Sequence, residues 1–158
     1  MKSSFYLKLY LLTVPVFFAV DMLWLGWIAV DYYQQQIGHL LARQINWAAA
    51  LAFYFTYIAG ILLFAVLPGL KRRSLVHAAT MASAFGFFTY ITYELTNMAT
   101  LPKWPLELVM VDTLWGMALC TSVASLSYLI GRWLQRGGHD SGEIGAHMGA
   151  QMGDGRGE

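Results

Sequence analysis

Four long apolar stretches constrain the fold of this chain more than any other feature. They cover residues 5–29, 47–67, 75–98 and 106–131, and each reaches the roughly 20 residues that a helix needs to cross a bilayer. Hydrophobic residues make up 58% of the chain and charged residues 12%, which leaves too few charges for the surface of a water-soluble domain. The sequence therefore predicts an all-α, four-helix transmembrane bundle. It excludes a soluble enzyme, a disordered chain and a nucleic-acid-binding module.

Polar or helix-breaking residues separate the four stretches. Residues 30–46 include Asp31 and a run of three glutamines and are too polar to remain in hydrocarbon. Pro68 and Gly69 are expected to end the second helix, and Lys71 follows at the headgroups. Pro102 and Pro105 favour a corner, because proline lacks an N–H and restricts the residue before it. We therefore expect short loops between the spans.

The distribution of lysine and arginine predicts the orientation in the membrane. With four spans, both termini and the middle loop lie on one side, which holds eight of the ten basic residues, and only Arg43 and Lys103 lie on the other. Cytoplasmic loops carry the excess of basic residues. Both termini are therefore predicted to be cytoplasmic.

The end of the chain differs in composition from the apolar stretches. Residues 137–158 contain eight of the fifteen glycines, and such a segment buries too little apolar area to offset the entropy of ordering it. We predict a disordered glycine-rich cytoplasmic tail that follows a membrane domain of residues 1–136.

Three carboxylates inside the spans carry the strongest functional signal. Asp21, Glu94 and Asp112 lie in the first, third and fourth stretches, and an aspartate at the centre of a membrane costs about 2.5–3.5 kcal/mol on insertion scales. With the predicted orientation, all three lie in the outer half of the bilayer, roughly 6–12 Å inside the helix ends at 1.5 Å per residue. Their similar depth predicts one shared site.

Polar and aromatic partners recur at helical spacing around these carboxylates. On the third helix Tyr90, Glu94 and Asn97 share a face, which continues through the small residues Ala82 and Gly86 and so favours close helix packing. The residues expected to line a pocket at this depth are Asp21, Trp24, His39, Tyr54, Tyr57, Tyr90, Tyr93, Glu94, Asn97, Asp112 and Trp115. The alternative is a structural network, in which tyrosines and tryptophans bond the acids and fix helix register.

At these residues the sequence resembles a bacterial family of small predicted inner-membrane proteins that is known only as a domain of unknown function. The resemblance covers roughly residues 5–132. The matching motifs are Asp21-x-x-Trp24-Leu25-Gly26, Gly38-His39-Leu40, Phe64-x-Val66-x-Pro68, Thr92-Tyr93-x-Leu95-Thr96-Asn97-x-Ala99-Thr100-Leu101 with Trp104-Pro105, and Val111-Asp112-x-x-Trp115-Gly116. Glu94 stands where this pattern has an aspartate, so its carboxylate reaches further. The resemblance implies a four-helix protein of the bacterial inner membrane and brings no established activity.

Three classes of function agree with these observations. The first is the handling of a small molecule, an ion or protons through the outer carboxylate and aromatic pocket. The second is a membrane enzyme that acts on a lipid-borne substrate, with a carboxylate as general base or, together with His39, as a metal ligand. The third is a structural or assembly partner. No nucleophile or metal-binding motif is present, so the sequence assigns no catalytic residue, metal or cofactor.

The expected partners follow from the same composition. They are the lipid bilayer, a small ligand or ion, and a second copy of the chain, because four helices enclose little pathway unless they dimerise. The formal charge of +1 gives no reason to expect nucleic acid as a partner.

Overall fold

In the computed structural model, the backbone is described for residues 3–42 and 44–153, and the side chains for the same residues except 28 and 137–153. This part of the chain contains helices and no strand. The α-helices are α1 (Ser3–Leu23), α2 (Val30–Ile37), α3 (Trp47–Ile61), α4 (Leu67–Arg72), α5 (Leu75–Thr100) and α6 (Leu106–Gly153).

Two π-helical turns connect these helices into longer units. Trp24–Ile28 continues α1, and Leu62–Val66 joins α3 to α4. As a result, four helical units are long and apolar enough to cross a membrane, namely Ser3–Trp27, Trp47–Arg72, Leu75–Thr100 and Leu106–Arg136. The predicted all-α architecture with four membrane-spanning helices is confirmed.

The second span runs past the proline at which the sequence suggested an end. Within its π turn, the Leu67 N–H donates to the Leu62 carbonyl five residues earlier. The wider turn accommodates the ring and the missing N–H of Pro68, which would break the ladder of a regular α-helix. The helix ends instead at Arg72, where Arg73 takes a left-handed conformation with φ 54°.

The polar connection after the first span contains a short helix that the sequence analysis did not anticipate. Along α2, Tyr33 and Ile37 lie four residues apart and so share one face. Ile37 is buried in a small core with Trp104, Leu108 and Val109. The helix therefore covers the end of the bundle where α5 turns into α6, which we call the capped end.

Helices α5 and α6 form the closest helix pair of the bundle. A Cβ atom at Gly86 would overlap the backbone of Gly116, so the two backbones touch at this crossing. Ala78 and Ala82 are buried on the same face of α5, as the predicted small-residue ridge requires. On the other side of α6, the Thr13 hydroxyl donates to Ser127 Oγ at 3.0 Å and links α1 to it.

Helices α3 and α5 meet only at the end away from the capped end. The π turn after α3 and the following α4 pack on α5, whereas α3 itself packs mainly against α1 and this turn. A cleft therefore separates α3 from α5 in the half of the bundle nearer the capped end.

The predicted disordered tail, residues 137–158, lies largely outside the described part of the chain. Helix α6 is described as far as Gly153, but the side chains beyond Arg136 and residues 154–158 lie outside the described part. Disorder of this tail stays a prediction.

Candidate functional site

The cleft between α3 and α5 widens into a cavity of about 820 Å³. Its walls are mostly apolar and aromatic, and its polar groups come from two carboxylates, five tyrosine hydroxyls and two threonines. The residues that line it are Phe17, Asp21, Leu25, Tyr33, Phe53, Tyr54, Tyr57, Phe88, Thr89, Tyr90, Thr92, Tyr93, Asp112 and Trp115. Phe53 and Phe88, on opposite sides of the cleft, are largely exposed, so the cavity opens sideways between these helices.

Asp21 forms one acidic group of the cavity. It lies on the last turn of α1 and is only 4% exposed. The Tyr54 hydroxyl on α3 donates to Asp21 Oδ2 at 3.2 Å. The bond crosses from α1 to α3 and holds this carboxylate at the inner wall of the cavity.

Asp112 forms the second acidic group, on α6. It is 7% exposed, and the Tyr33 hydroxyl of α2 donates to its Oδ1. Tyr33 in turn accepts a hydrogen bond from the indole N–H of Trp24 at 3.3 Å, and the Trp24 ring stacks on Trp115. Helix α2 and the π turn at the end of α1 thus position Asp112 through two successive hydrogen bonds.

Burial and the hydrogen bond to Asp112 determine the ionisation of Tyr33, which lies outside the four spans. Burial contributes most to raising the pKa of this phenol, and the donated bond adds to the effect. Tyr33 therefore stays protonated across the physiological range and can act as a hydrogen-bond donor to Asp112 throughout.

Glu94 lies behind the cavity and does not line it. Its side chain is fully buried, the indole N–H of Trp104 donates to its Oε2 at 2.8 Å, and its carboxyl group neighbours that of Asp112. Its other oxygen, Oε1, has no hydrogen-bond partner among the described residues. The three intramembrane carboxyls are thus all buried. Asp21 and Asp112 line one cavity, and Glu94 lies next to Asp112 outside the cavity lining.

A chain of hydrogen bonds crosses the deeper part of the cavity. The Thr89 hydroxyl donates to the Phe85 carbonyl at 2.8 Å, which leaves its oxygen to accept from the Tyr57 hydroxyl at 2.7 Å. Tyr57 also lies 3.2 Å from Cys120 Sγ. The hydroxyl groups of Thr89 and Tyr57 thus have hydrogen-bond partners within the protein. They give this part of the cavity wall a polar surface without charge.

Four of the eleven residues predicted for the pocket do not line the cavity. Trp24 lies outside the lining and contacts two lining residues, Trp115 and Tyr33. Glu94 and Asn97 lie on α5 outside the lining. His39 is exposed in the turn after α2 and has no hydrogen bond among the described side chains. The other seven, Asp21, Tyr54, Tyr57, Tyr90, Tyr93, Asp112 and Trp115, line the cavity.

Sequence reasoning missed three residues with direct roles in this arrangement. Tyr33 lies on a segment expected to be a loop, and its face periodicity with Ile37 was the available signal. Trp104 was named in the sequence only as part of the Trp104-Pro105 motif, without a role in the pocket. Thr89 lies four residues before Tyr93 and one before Tyr90, so helical periodicity placed it beside the predicted face.

The arrangement offers hydrogen bonding and negative charge inside an aromatic enclosure. In the part of the chain with described side chains, no group of three or more His, Cys, Asp and Glu residues is placed to hold a metal ion. The polar atoms that face the cavity are those of two acids and of hydroxyl groups, which can accept hydrogen bonds from a ligand or compensate a positive charge on it.

Comparison with known proteins gives one match. A family model described as a predicted membrane protein, DUF2177, matches residues 6–129. No curated protein and no solved structure matches the chain. The match spans the four apolar helices and every carboxylate discussed above.

Proposed function

We propose, for a chain that belongs to the DUF2177 family of predicted membrane proteins, that it binds a small amphipathic cation in the cavity between α3 and α5. The observation that carries this proposal is the pair of buried carboxylates, Asp21 and Asp112, on a cavity whose walls are otherwise apolar and aromatic. A volume of about 820 Å³ suits a drug-sized molecule.

The charge of the ligand follows from the charges of the cavity. Both acids accept a single tyrosine hydrogen bond, and none of the cavity-lining residues is a lysine, arginine or histidine. A cationic group between the carboxylates would compensate their charge, while an anion would be repelled. The aromatic residues that line the cavity, among them Tyr90 and Trp115, suit a cation better than an anion.

The route into the cavity supports an amphipathic ligand. The opening lies between α3 and α5, flanked by the exposed rings of Phe53 and Phe88, and helix faces of this kind contact acyl chains in a bilayer. The capped end, in contrast, is covered by α2 and Trp104. A ligand would therefore enter sideways from the lipid, with its apolar part in contact with the phenylalanines.

We also propose the location of this cavity in the cell. The eight-to-two distribution of basic residues favours cytoplasmic termini in a bacterial inner membrane. The capped end, with Asp21, Glu94 and Asp112, then lies in the outer half of the bilayer.

Two probe ions of matched size and opposite charge test the proposal. The full-length protein in mild detergent is titrated with tetraphenylphosphonium and, separately, with tetraphenylborate, and binding is followed by tryptophan fluorescence and by equilibrium dialysis against protein-free micelles. We expect saturable binding of the phosphonium only. Asp21→Asn and Asp112→Asn should each weaken it about tenfold, since the loss of one nearby opposite charge removes Coulomb attraction, and a factor of ten corresponds to about 1.4 kcal/mol.

Asp31→Asn provides the matched control, because Asp31 is exposed on α2 and does not line the cavity. It should leave phosphonium binding unchanged. Two results would refute the proposal: equal binding of both ions, or phosphonium binding that persists in both cavity variants. Either would mean that the ions only partition into the micelles.

A further inference from the structure

The carboxyl groups of Glu94 and Asp112 form a buried pair with an unusual set of partners. Glu94 is fully buried and Asp112 is 7% exposed. Each has one oxygen bonded to a neutral donor, Trp104 to Glu94 Oε2 and Tyr33 to Asp112 Oδ1. Glu94 Oε1 has no partner in the described part of the chain. This leaves one free oxygen on each side of the pair.

The geometry of the two helices brings the two carboxyl groups together. Helices α5 and α6 run antiparallel and touch at Gly86 and Gly116, which places Glu94 level with Leu108 and Asp112 one turn closer to the crossing. Helical side chains lean toward the N-terminus of their own helix. The Glu94 side chain therefore leans toward the level of Asp112, and the Asp112 side chain leans toward that of Glu94.

The charges around the pair do not neutralise it. Neither carboxyl group receives a hydrogen bond or a charge contribution from a lysine, arginine or histidine among the described residues. Among the described residues, the other titratable groups close to the pair are tyrosines: Tyr32 and Tyr33 from α2, and Tyr90 and Tyr93 from α5. Two adjacent ionised carboxylates in this environment would repel each other strongly.

We propose that Glu94 and Asp112 form a proton-binding site, which holds one proton between their two free oxygens near neutral pH. A single shared proton removes the repulsion and gives Glu94 Oε1 the hydrogen-bond partner that it lacks. The pair then carries one negative charge instead of two. This site does not depend on the proposed cation binding in the cavity.

Further buried polar atoms lie on the same elements as the pair or on α2. Tyr32 Oη, Asn97 Nδ2 and Thr113 Oγ1 are also buried without a partner among the described residues. Tyr32 belongs to α2, Asn97 lies about one turn beyond Glu94, and Thr113 follows Asp112. Buried polar atoms of this kind are normally satisfied by hydrogen bonds, from protein or from ordered water.

The site also has a consequence for the cavity. Asp112 lines the cavity on one side and contacts Glu94 on the other. Uptake or release of the shared proton therefore changes the negative charge that the cavity presents to a ligand.

Infrared spectroscopy of the full-length protein near neutral pH tests the proposal without any ligand. A protonated carboxylic acid has a carbonyl stretch that an ionised carboxylate lacks. We expect such a band in the wild-type protein, shifted by exchange into D₂O. Glu94→Gln should remove it, Asp112→Asn should remove or shift it because the partner oxygen is gone, and Asp31→Asn on the exposed face of α2 should leave it unchanged.

Selective ¹³C labelling provides a second measurement that needs no variant. In the wild-type protein, labelled glutamate and labelled aspartate should each shift the band, because the proton is shared by one residue of each type. Absence of the band in the wild-type protein would overturn the proposal, as would a band that is insensitive both to glutamate labelling and to Glu94→Gln. A stoichiometric metal ion in place of the band would assign the site to a cation and overturn it as well.

Discussion

The indole of Trp24 stacks on that of Trp115, with ring centroids 4.5 Å apart and planes only 9° from parallel. Trp24 begins the π turn at the end of α1, and Trp115 lies one helical turn after Asp112 on α6. The stack therefore joins the first and last spans at the level of the acidic cavity. It also places the Trp24 N–H where it can donate to Tyr33.

Removal of this stack should destabilise the capped half of the bundle. Trp115→Leu keeps an apolar side chain but loses the aromatic pair, which contributes about 0.5–1.5 kcal/mol beyond its buried area. We expect a lower midpoint of thermal unfolding in detergent and weaker phosphonium binding. Trp133→Leu is the control, because Trp133 is an exposed tryptophan on the same helix, and it should leave both measurements unchanged.

The crossing of α5 and α6 should tolerate no added methyl group at Gly86. A Cβ atom there would overlap the backbone of Gly116, and backbone cannot move aside as a side chain can. Gly86→Ala should lower the free energy of unfolding by about 1–3 kcal/mol, which is the usual effect of overpacking. A Cβ atom at Gly26 would have no neighbour within 4 Å, so Gly26→Ala should be close to neutral. Equal stability of the two variants in denaturant titrations would contradict the crossing.

The hydrogen bond from Trp104 should hold Glu94 in place. Trp104→Phe keeps a buried aromatic ring but removes the donor to Glu94 Oε2, and loss of a hydrogen bond to a buried charged group costs about 1.5–3 kcal/mol. A double-mutant cycle with Glu94→Gln, measured by unfolding in detergent, should show coupling between the two positions. Additive effects would mean that the bond contributes no stability. Trp47→Phe, at an exposed tryptophan, is the control.

Reporter fusions test the proposed orientation. A reporter fused after Gly138 should be active in the cytoplasm, and one inserted within residues 34–38 should be active outside it, because the basic residues are distributed eight to two and cytoplasmic loops carry the excess. Reporters at both positions that indicate the same compartment would contradict a four-span topology with cytoplasmic termini.

Truncation after Arg136 tests the glycine-rich tail. The removed residues 137–158 contain eight of the fifteen glycines and are expected to add no packed core. Membrane insertion and thermal stability in detergent should match those of the full chain. A large loss of stability would show that this segment packs against the bundle.

The sequence predicted the spans correctly because membrane crossing depends on length and hydropathy, which can be counted along a single segment. It predicted burial of the three carboxylates for a similar reason, since their cost in lipid is a local property. The position of Tyr33 could not be predicted in this way. Its bond to Asp112 requires α2 to fold back over the bundle, and that depends on contacts between residues far apart in sequence.

Two further features depended on backbone geometry that residue type does not determine. Pro68 suggested a helix end, yet the preceding π turn accommodates its ring and α4 continues to Arg72. Trp104 reaches Glu94 because the corner between α5 and α6 reverses sharply, with Lys103 in a left-handed conformation at φ 58°. Non-glycine residues adopt that conformation uncommonly, so the spacing of prolines alone did not reveal this contact.

The second span is held against α5 at one end only. Its fixed end lies at the π turn, where the wider helical ring makes the backbone less regular than in the rest of the span. Helix α3 has 15 residues and so extends about 22 Å from this joint. A tilt of about 5° there would move Trp47 by roughly 2 Å, while the crossing of α5 and α6 stayed in place. Such a tilt would change the width of the entrance between Phe53 and Phe88, and it would also change the contacts of α3 with α1, among them the Tyr54–Asp21 hydrogen bond.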